Sequence, residues 1–310
     1  MRLWRLSPLA LIGVLALGCS GGEQAEEDSA PTEANCLSVY VVNYPLQYFA
    51  ERIGGAEVDV SLPVPLNEDP AYWSPTPETI SGYQAADLIL LNGAGYAKWV
   101  GRVTLPEVKL VDTSVTFQER LIPWSEGPVH SHGPEGDHSH TGYALTTWLD
   151  PMLATEHIRS IRDVLGRSRP DQRSVFQTAF ERLETDLRAL DERWAVISAT
   201  LAGAPLLFSQ PVYQYLIRRF ELNGESVHWE PGEAPDEAQW QELDELIARH
   251  PARWMIWEAE PLPETADRLR VAGIESLVYR PNAVPPEEGD LLAAFDADLE
   301  AIEMALAGRH

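Results

Sequence analysis

Residues 130–140 read HSHGPEGDHSH and hold four of the chain's eight histidines. In an extended segment, residues two apart point the same way, so His130 with His132, and His138 with His140, form two imidazole pincers. The GPEGD between them is turn-forming sequence, able to fold one pincer against the other. Four neutral imidazoles satisfy the tetrahedral shell that zinc prefers, with Asp137 or Glu135 as a substitute ligand or as a partner to a ligating ring. At an ordinary pKa of about 6.5, the rings are mostly neutral and competent at pH 7. The competing reading of the same residues is a surface segment that binds divalent metal weakly and in no single geometry. His157, His228, His250 and His310 stand alone in the sequence and read as surface or core residues.

The N-terminal residues set the expected compartment. Residues 1–19, MRLWRLSPLALIGVLALGC, have two arginines, an apolar run too short to span a bilayer comfortably, and small residues before a cysteine. That is the pattern of a signal peptide. LALGC resembles a bacterial lipobox, in which Cys19 would be lipidated and would anchor an exported protein at the periplasmic or cell-surface side. Residues 20–35, SGGEQAEEDSAPTEAN, lack any large apolar residue and read as an acidic flexible tether. With Cys19 carrying lipid, Cys36 has no disulfide partner in the chain and reads as a small buried residue at a strand start.

The formal net charge is −25, with only Lys98 and Lys109 as lysines. That balance excludes nucleic-acid binding and argues against an anionic membrane surface as a partner, leaving the lipid anchor as the membrane contact. It favours cations only diffusely. No Ser-His-Asp ordering, phosphate loop or glycine fingerprint stands out, so the chain does not read as an enzyme.

Elements must hold any site in place, and the pattern predicts two α/β lobes. LSVYVVN (37–43), EVDVSLPV (57–64) and DLILLN (87–92) read as strands separated by the helices PLQYFAERIGG and PETISGYQAA. A helix starts in WLDPMLATEHIRSIRDVL, with Asp150 as N-cap and Pro151 in the first turn. After Pro170, Phe176, Phe180, Leu183, Leu187, Leu190, Trp194 and Ile197 alternate spacings of four and three, which predicts one helix of roughly 25 to 30 residues with a single apolar stripe. The α/β rhythm then returns: strands at APLLFS (204–209), SVHWE (226–230), RWMIWEAE (253–260) and ESLVYR (275–280), and a final helix. The expected organisation is an N-terminal lobe over 36–150 with a histidine-rich loop at 128–142, a helical segment over 151–200 containing one long rigid interlobe helix, and a C-terminal lobe over 201–310. Each lobe would carry a mostly parallel sheet flanked by helices, and ligands would bind between the lobes at the carboxyl ends of the strands.

Four segments, in this order and spacing, resemble the ZnuA/TroA-like solute-binding lipoproteins of zinc and manganese ABC importers. DPAYWSPTPETI (69–80) is similar to the family's Asp-Pro-His-x-Tyr-Glu-Pro stretch, and ADLILLNGAGYAKWV (86–100) to its strand leading to a glycine. TTWLDPML (146–153) resembles Asp-Pro-His-x-Trp-Leu-Asp-Pro, and FSQPVYQYLIRRFEL (208–222) a helix start of Ser-His-x-x-Phe-x-Tyr type. A histidine-rich loop ahead of Trp-Leu-Asp-Pro is a trait of the zinc branch. The resemblance implies a cleft metal site, zinc or another divalent metal such as manganese as cargo, a monomer, and delivery to an ABC permease and its ATPase.

The family's ligand positions nevertheless carry other residues here: Ala71 (or Asp69 in the zinc-branch register), Thr146, Gln210 and Arg280. Alanine offers no donor, threonine and glutamine offer weak neutral ones, and a guanidinium repels a dication. A rearranged cleft site would draw on Asp69 and Glu258, with Glu260 nearby in sequence. A competing expectation is a repurposed cleft in which Arg280, with Gln210 and Thr146, holds an anionic ligand by bidentate hydrogen bonds between walls of Tyr72, Trp73, Tyr213 and Trp257. A metal-buffering accessory that uses only the histidine-rich loop is the third reading.

Overall fold

In the computed structural model of the chain, residues 36–125 and 141–308 are described. Two parallel sheets carry the architecture. The first is built from β1 (Leu37–Val41), β2 (Val58–Ser61), β3 (Leu88–Leu91) and β4 (Leu110–Asp112), in the order β2-β1-β3-β4. A two-stranded antiparallel ribbon follows, β5 (Pro123–Ser125) with β6 (Thr141–Tyr143). The second sheet contains β7 (Leu206–Phe208), β8 (Gly224–Ser226), β9 (Trp254–Trp257) and β10 (Glu275–Val278), in the order β10-β9-β7-β8. Read from its second strand, that is the same order as the first sheet. In both, the chain reverses direction across the sheet between the first and third strands, which opens a crevice beyond their carboxyl ends.

The helices begin where the sequence places their caps. In α1 (Tyr44–Gly54), the Asn43 side chain accepts from the Leu46 N–H at 3.1 Å, and Pro45 lies in the first turn. In α3 (Pro151–Ser168), the Asp150 carboxylate accepts from Met152 and Leu153 N–H at 2.9 and 3.3 Å. The short α2 (Pro77–Ala85) is capped by Thr76.

The long helix is α4 (Arg173–Leu201), 29 residues or about 43 Å at the standard rise. All seven stripe residues from Phe176 to Ile197 are buried. Its first half packs on α1 and α3, and Arg162 of α3 lies 4.5 Å from the centre of the Phe180 ring. Its second half serves the other lobe: Trp194 stacks on Phe220 and meets Tyr279 edge-on, and the helix packs on α8 (Leu291–Ala307). One stripe therefore continues through both cores.

α5 (Gln214–Arg219), α6 (Glu237–Arg249) and α7 (Pro263–Val271) complete the second lobe. Here one expectation needs correction: the strand expected at 226–230 is β8, Gly224–Ser226. The strand begins at Gly224 because a Cβ there would come within 2.4 Å of the Phe208 ring, and it ends before His228, whose φ of 58° leaves the extended region. β4 and the β5–β6 ribbon were not anticipated, because each strand is only three residues long.

Backbone and side-chain hydrogen bonds join the lobes directly. The Tyr44 N–H donates to the Ala283 carbonyl at 2.9 Å, and Trp148 Nε1 donates to the Pro281 carbonyl at 2.7 Å. Tyr215, in the second lobe, donates its hydroxyl to the Ala144 carbonyl at 3.0 Å and accepts from the Ile122 N–H at 3.2 Å.

Candidate functional site

The crevice is lined from loops that leave the strands at their carboxyl ends. Glu258 follows β9 directly, and Gln210 lies two residues beyond β7, which puts both at the point where the second sheet changes direction. Opposite them, the loop after β2 carries Asp69 in a tight turn. The Ala71 N–H donates to Asp69 Oδ1 at 2.8 Å, and the Tyr72 and Trp73 N–H groups donate to the Asp69 carbonyl at 3.1 and 2.9 Å. The turn fixes one carboxylate oxygen and leaves the other available.

These acids feel each other across the crevice. Burial, then the charges of Glu230 and Asp69, push Glu258 up to about 7. Burial also raises the pKa of Asp69, opposed by the Ala71 N–H and by the charge of Lys98. Asp69 is an exposed residue, so water still screens its carboxyl. Glu230 was not singled out from the sequence. It lies beyond β8 and accepts from Gln210 Nε2 at 2.7 Å, so Gln210 orients a carboxylate and does not itself offer a free amide. The only sequence signal for Glu230 is its position a few residues past a strand end, the same as that of Glu258.

Each of the four family-ligand positions is committed within the protein. Ala71 is buried and supplies only its backbone N–H to Asp69. Thr146 donates its hydroxyl to the Val212 carbonyl across the lobes. Arg280 is held by Asp298 of α8, whose buried carboxylate accepts both the Arg280 N–H, at 2.8 Å, and its guanidinium; Glu260 lies 3.5 Å away on the solvent side. The anion-binding expectation therefore loses its cation, since the guanidinium is already paired. It loses its walls as well: Trp73, Tyr213 and Trp257 are buried core residues, and only Tyr72, at 57%, is exposed.

Behind the first lobe's crevice lies a buried polar network. Asn43 and Asn92, just beyond β1 and β3, are joined at 3.2 Å, and Asn92 Nδ2 donates to the Leu145 carbonyl at 3.0 Å. His157 sits between Thr113 at Nδ1, 2.6 Å, and Thr147 at Nε2, 2.8 Å. The Thr113 hydroxyl is given to the Leu91 carbonyl at 2.8 Å, so Nδ1 carries the ring proton and Nε2 accepts from Thr147. Burial drives His157 down to about 3, which keeps it neutral. It is thus the core histidine expected from its isolation, and it holds in place the segment that carries Thr146 and Trp148. Cys36, expected to be buried, is half-buried, with its thiol donating to the Ala56 carbonyl at 3.1 Å.

Cys19, His130, His132, Asp137, His138, His140 and His310 lie outside the described residues; the histidine-rich segment leaves β5 and re-enters β6. Among the described residues, no three His, Cys, Asp or Glu side chains converge closely enough to hold a metal ion, and no helix is long and apolar enough to cross a membrane.

Two carboxylate-bearing crevice walls on matched 2-1-3-4 sheets, spanned by one long helix, give the geometry of a two-lobed solute binder. Residues 39–305 match the family described as zinc-uptake complex component A, periplasmic. The chain belongs to this family. Its members are solute-binding components of metal-uptake systems and not enzymes.

Two relatives are similar to the chain along most of its length. The zinc-binding lipoprotein AdcA of Streptococcus pneumoniae is 23% identical over 95% of this chain, which spans 59% of AdcA's own length. The high-affinity zinc uptake protein ZnuA of Bacillus subtilis is 23% identical over 84% of this chain and 82% of its own. In fold, the metal-dependent lipoprotein YcdH of Bacillus subtilis superposes with a TM-score of 0.72 at 20% identity, covering 86% of this chain and 98% of YcdH.

Proposed function

We propose that this protein is an extracytoplasmic lipoprotein, anchored through Cys19, that captures a divalent metal as cargo for an ABC permease and its ATPase. Zinc is the first candidate, since AdcA and ZnuA are named for it; a manganese-binding lipoprotein, MntA of Halalkalibacterium halodurans, is 25% identical over 67% of the chain. The observation that carries the reading is the placing of Glu258 directly after β9 and of Asp69 in the loop after β2, at the carboxyl ends of strands in the two sheets; burial, then the charges of Glu230 and Asp69, disfavour ionised Glu258 there. Carboxylates whose ionisation is disfavoured by burial and by one another form a site that gains from a cation.

The cleft offers oxygen donors, which suit manganese as well as zinc, whereas the imidazoles of His130, His132, His138 and His140 suit zinc. Asp69 and Glu258 would form the cleft site, with Glu230 beside them, and coordination would draw them closer than they stand here. The loop, with Asp137, would form a second site that collects zinc. Calorimetric titration of the demetallated protein with zinc and with manganese, beside a version lacking residues 130–140, tests the division. Tight binding that survives the deletion and falls with Asp69→Asn supports the cleft; binding lost entirely with the deletion assigns the metal to the loop; no tight binding in either protein sinks the proposal.

A further inference from the structure

Among the described residues, the second sheet ends at β8, and no strand pairs beyond it. Toward β7, the Asn223 carbonyl accepts from the Leu206 N–H at 2.8 Å and the Val227 N–H donates to the Phe208 carbonyl at 3.0 Å. Backbone groups alternate sides along a strand, so the Gly224 carbonyl and both the N–H and the carbonyl of Ser226 turn outward. Neither residue is buried.

Two cavities flank this edge. The connection through α5 moves outward from β7 to β8, and the one through α6 returns past β7 to β9; right-handed crossovers in opposite directions put the two helices on opposite faces of the sheet. Core packing agrees: Leu207 clusters with Leu243 and Leu246 of α6, while its neighbour Phe208 packs on Tyr213 beside α5. On the α5 side, a cavity of about 320 Å³ is walled by Trp124 of the ribbon, Pro211 and Ile217, with Glu225 at the strand. On the α6 side, a cavity of about 260 Å³ holds Glu242, Glu245 and Arg249 over Leu243 and Leu246. Ser226 and His228 line both. An added strand sends alternate side chains to the two faces of a sheet, so one set would enter each cavity. Three carboxylates against one guanidinium favour basic side chains on the α6 side, and the Trp124 wall favours apolar ones on the other.

We propose that the free edge of β8 is a docking site for an extended segment of a partner protein in which basic and apolar side chains alternate. The segment adds a strand to the second sheet through the outward groups of Gly224 and Ser226. This surface is separate from the cargo site, and its test requires no metal.

The test is fluorescence anisotropy of a labelled decapeptide of alternating valine and lysine, titrated with the full-length protein at about 0.15 M salt to screen diffuse attraction. A block peptide of five lysines followed by five valines has the same charge and composition, and should bind about tenfold more weakly, because it cannot serve both cavities at once. Ser226→Pro removes an outward N–H and spares the ladder to β7, a place where edge strands tolerate proline, and should weaken binding by about tenfold. A decapeptide N-methylated at alternate residues cannot complete the added ladder and should not bind; this control needs no protein variant, so it stands even if Ser226→Pro fails to fold. Glu242→Gln/Glu245→Gln should weaken binding about threefold or more, and less so at about 0.5 M salt. With the alternating peptide bound, hydrogen exchange at the Ser226 amide should slow.

Equal binding of the alternating, block and N-methylated peptides, with Ser226 exchange unchanged, reduces the effect to attraction by net charge and overturns the docking edge. A valine–glutamate peptide that binds as tightly overturns the choice of a basic partner. Binding about tenfold tighter once residues 130–140 are deleted would show that the chain's own segment competes for the edge, and would overturn the external partner.

Discussion

Two titratable side chains, half-buried Glu258 and buried His157, impose opposite pH dependences on this fold. Glu258 ionises at about 7 in the folded protein against an ordinary 4.5. Its charged form is thus disfavoured in the folded state. The penalty is absent below about pH 4.5, grows as pH rises to 7 and is complete above it. At about 1.4 kcal/mol per unit, it reaches at most roughly 3.5 kcal/mol. Glu258→Gln keeps the shape and removes the charge, so it should be more stable than the parent at pH 8 and gain little at pH 5, as read by urea melts at the two pH values. An equal difference at both would show that the carboxylate is not disfavoured by burial.

His157 runs the other way. Its folded value of about 3 lies below the ordinary 6.5, so stability held above pH 6.5 is lost as pH falls toward 3 and the unfolded chain takes up the proton first. His157→Gln should destabilise the protein at pH 7 by about 1–3 kcal/mol, because it disturbs a buried pair of hydrogen bonds, and should flatten the acid limb of the stability curve below pH 6. The sequence shows His157 as an isolated histidine. Its partners, Thr113 and Thr147, come together only when β4 and the turn before α3 pack against that helix.

At the scale of elements, the segment before α3 bridges the lobes. In the resemblance, position 146 is a metal ligand; here Thr146 gives its hydroxyl to the Val212 carbonyl, and Trp148 reaches the Pro281 carbonyl. These contacts join the lobes by protein hydrogen bonds alone. Thr146→Val keeps the shape but cannot donate, leaving a carbonyl without its partner at a cost of about 1–2 kcal/mol. The Tyr44 N–H, bonded to Ala283 across the same boundary, reports on it. Its hydrogen exchange should quicken roughly tenfold in Thr146→Val, while amides within α4 keep their protection. Unchanged exchange at Tyr44 would mean that Trp148 and Tyr215 hold the lobes without Thr146.

The long helix and most of the strands were legible because their signals are local: a stripe of seven apolar residues, an Asp-Pro cap, apolar runs ended by glycine. The strand displaced to Gly224–Ser226 was not, because its start is set by the Phe208 ring in a neighbouring strand. The place of Glu258 at a strand end and of Asp69 in a turn before Pro70 could be read from the sequence. The capture of Arg280 by Asp298, eighteen residues on in a separate helix, could not.

At the scale of the whole molecule, a formal charge of −25 on 310 residues sets a background against which any specific cation must be detected. Self-repulsion of that size weakens the compact state, and salt relieves it by shortening the Debye length from about 30 Å at 0.01 M to about 10 Å at 0.1 M. Local pairs oppose the trend. Arg193 holds Glu303 through two nitrogens at 2.9 and 3.0 Å, and Arg219 holds Asp191 at 2.8 and 2.7 Å; salt weakens both. Such partly exposed pairs contribute about 1 kcal/mol or less each, so net repulsion should win. The melting temperature should therefore climb by several degrees between 0.01 and 0.3 M sodium chloride and then level off. A fall over that range would show that the arginine pairs outweigh the net charge. With the monovalent background on its plateau, diffuse attraction is already screened, so any further rise produced by micromolar zinc or manganese must come from a site that binds the folded state.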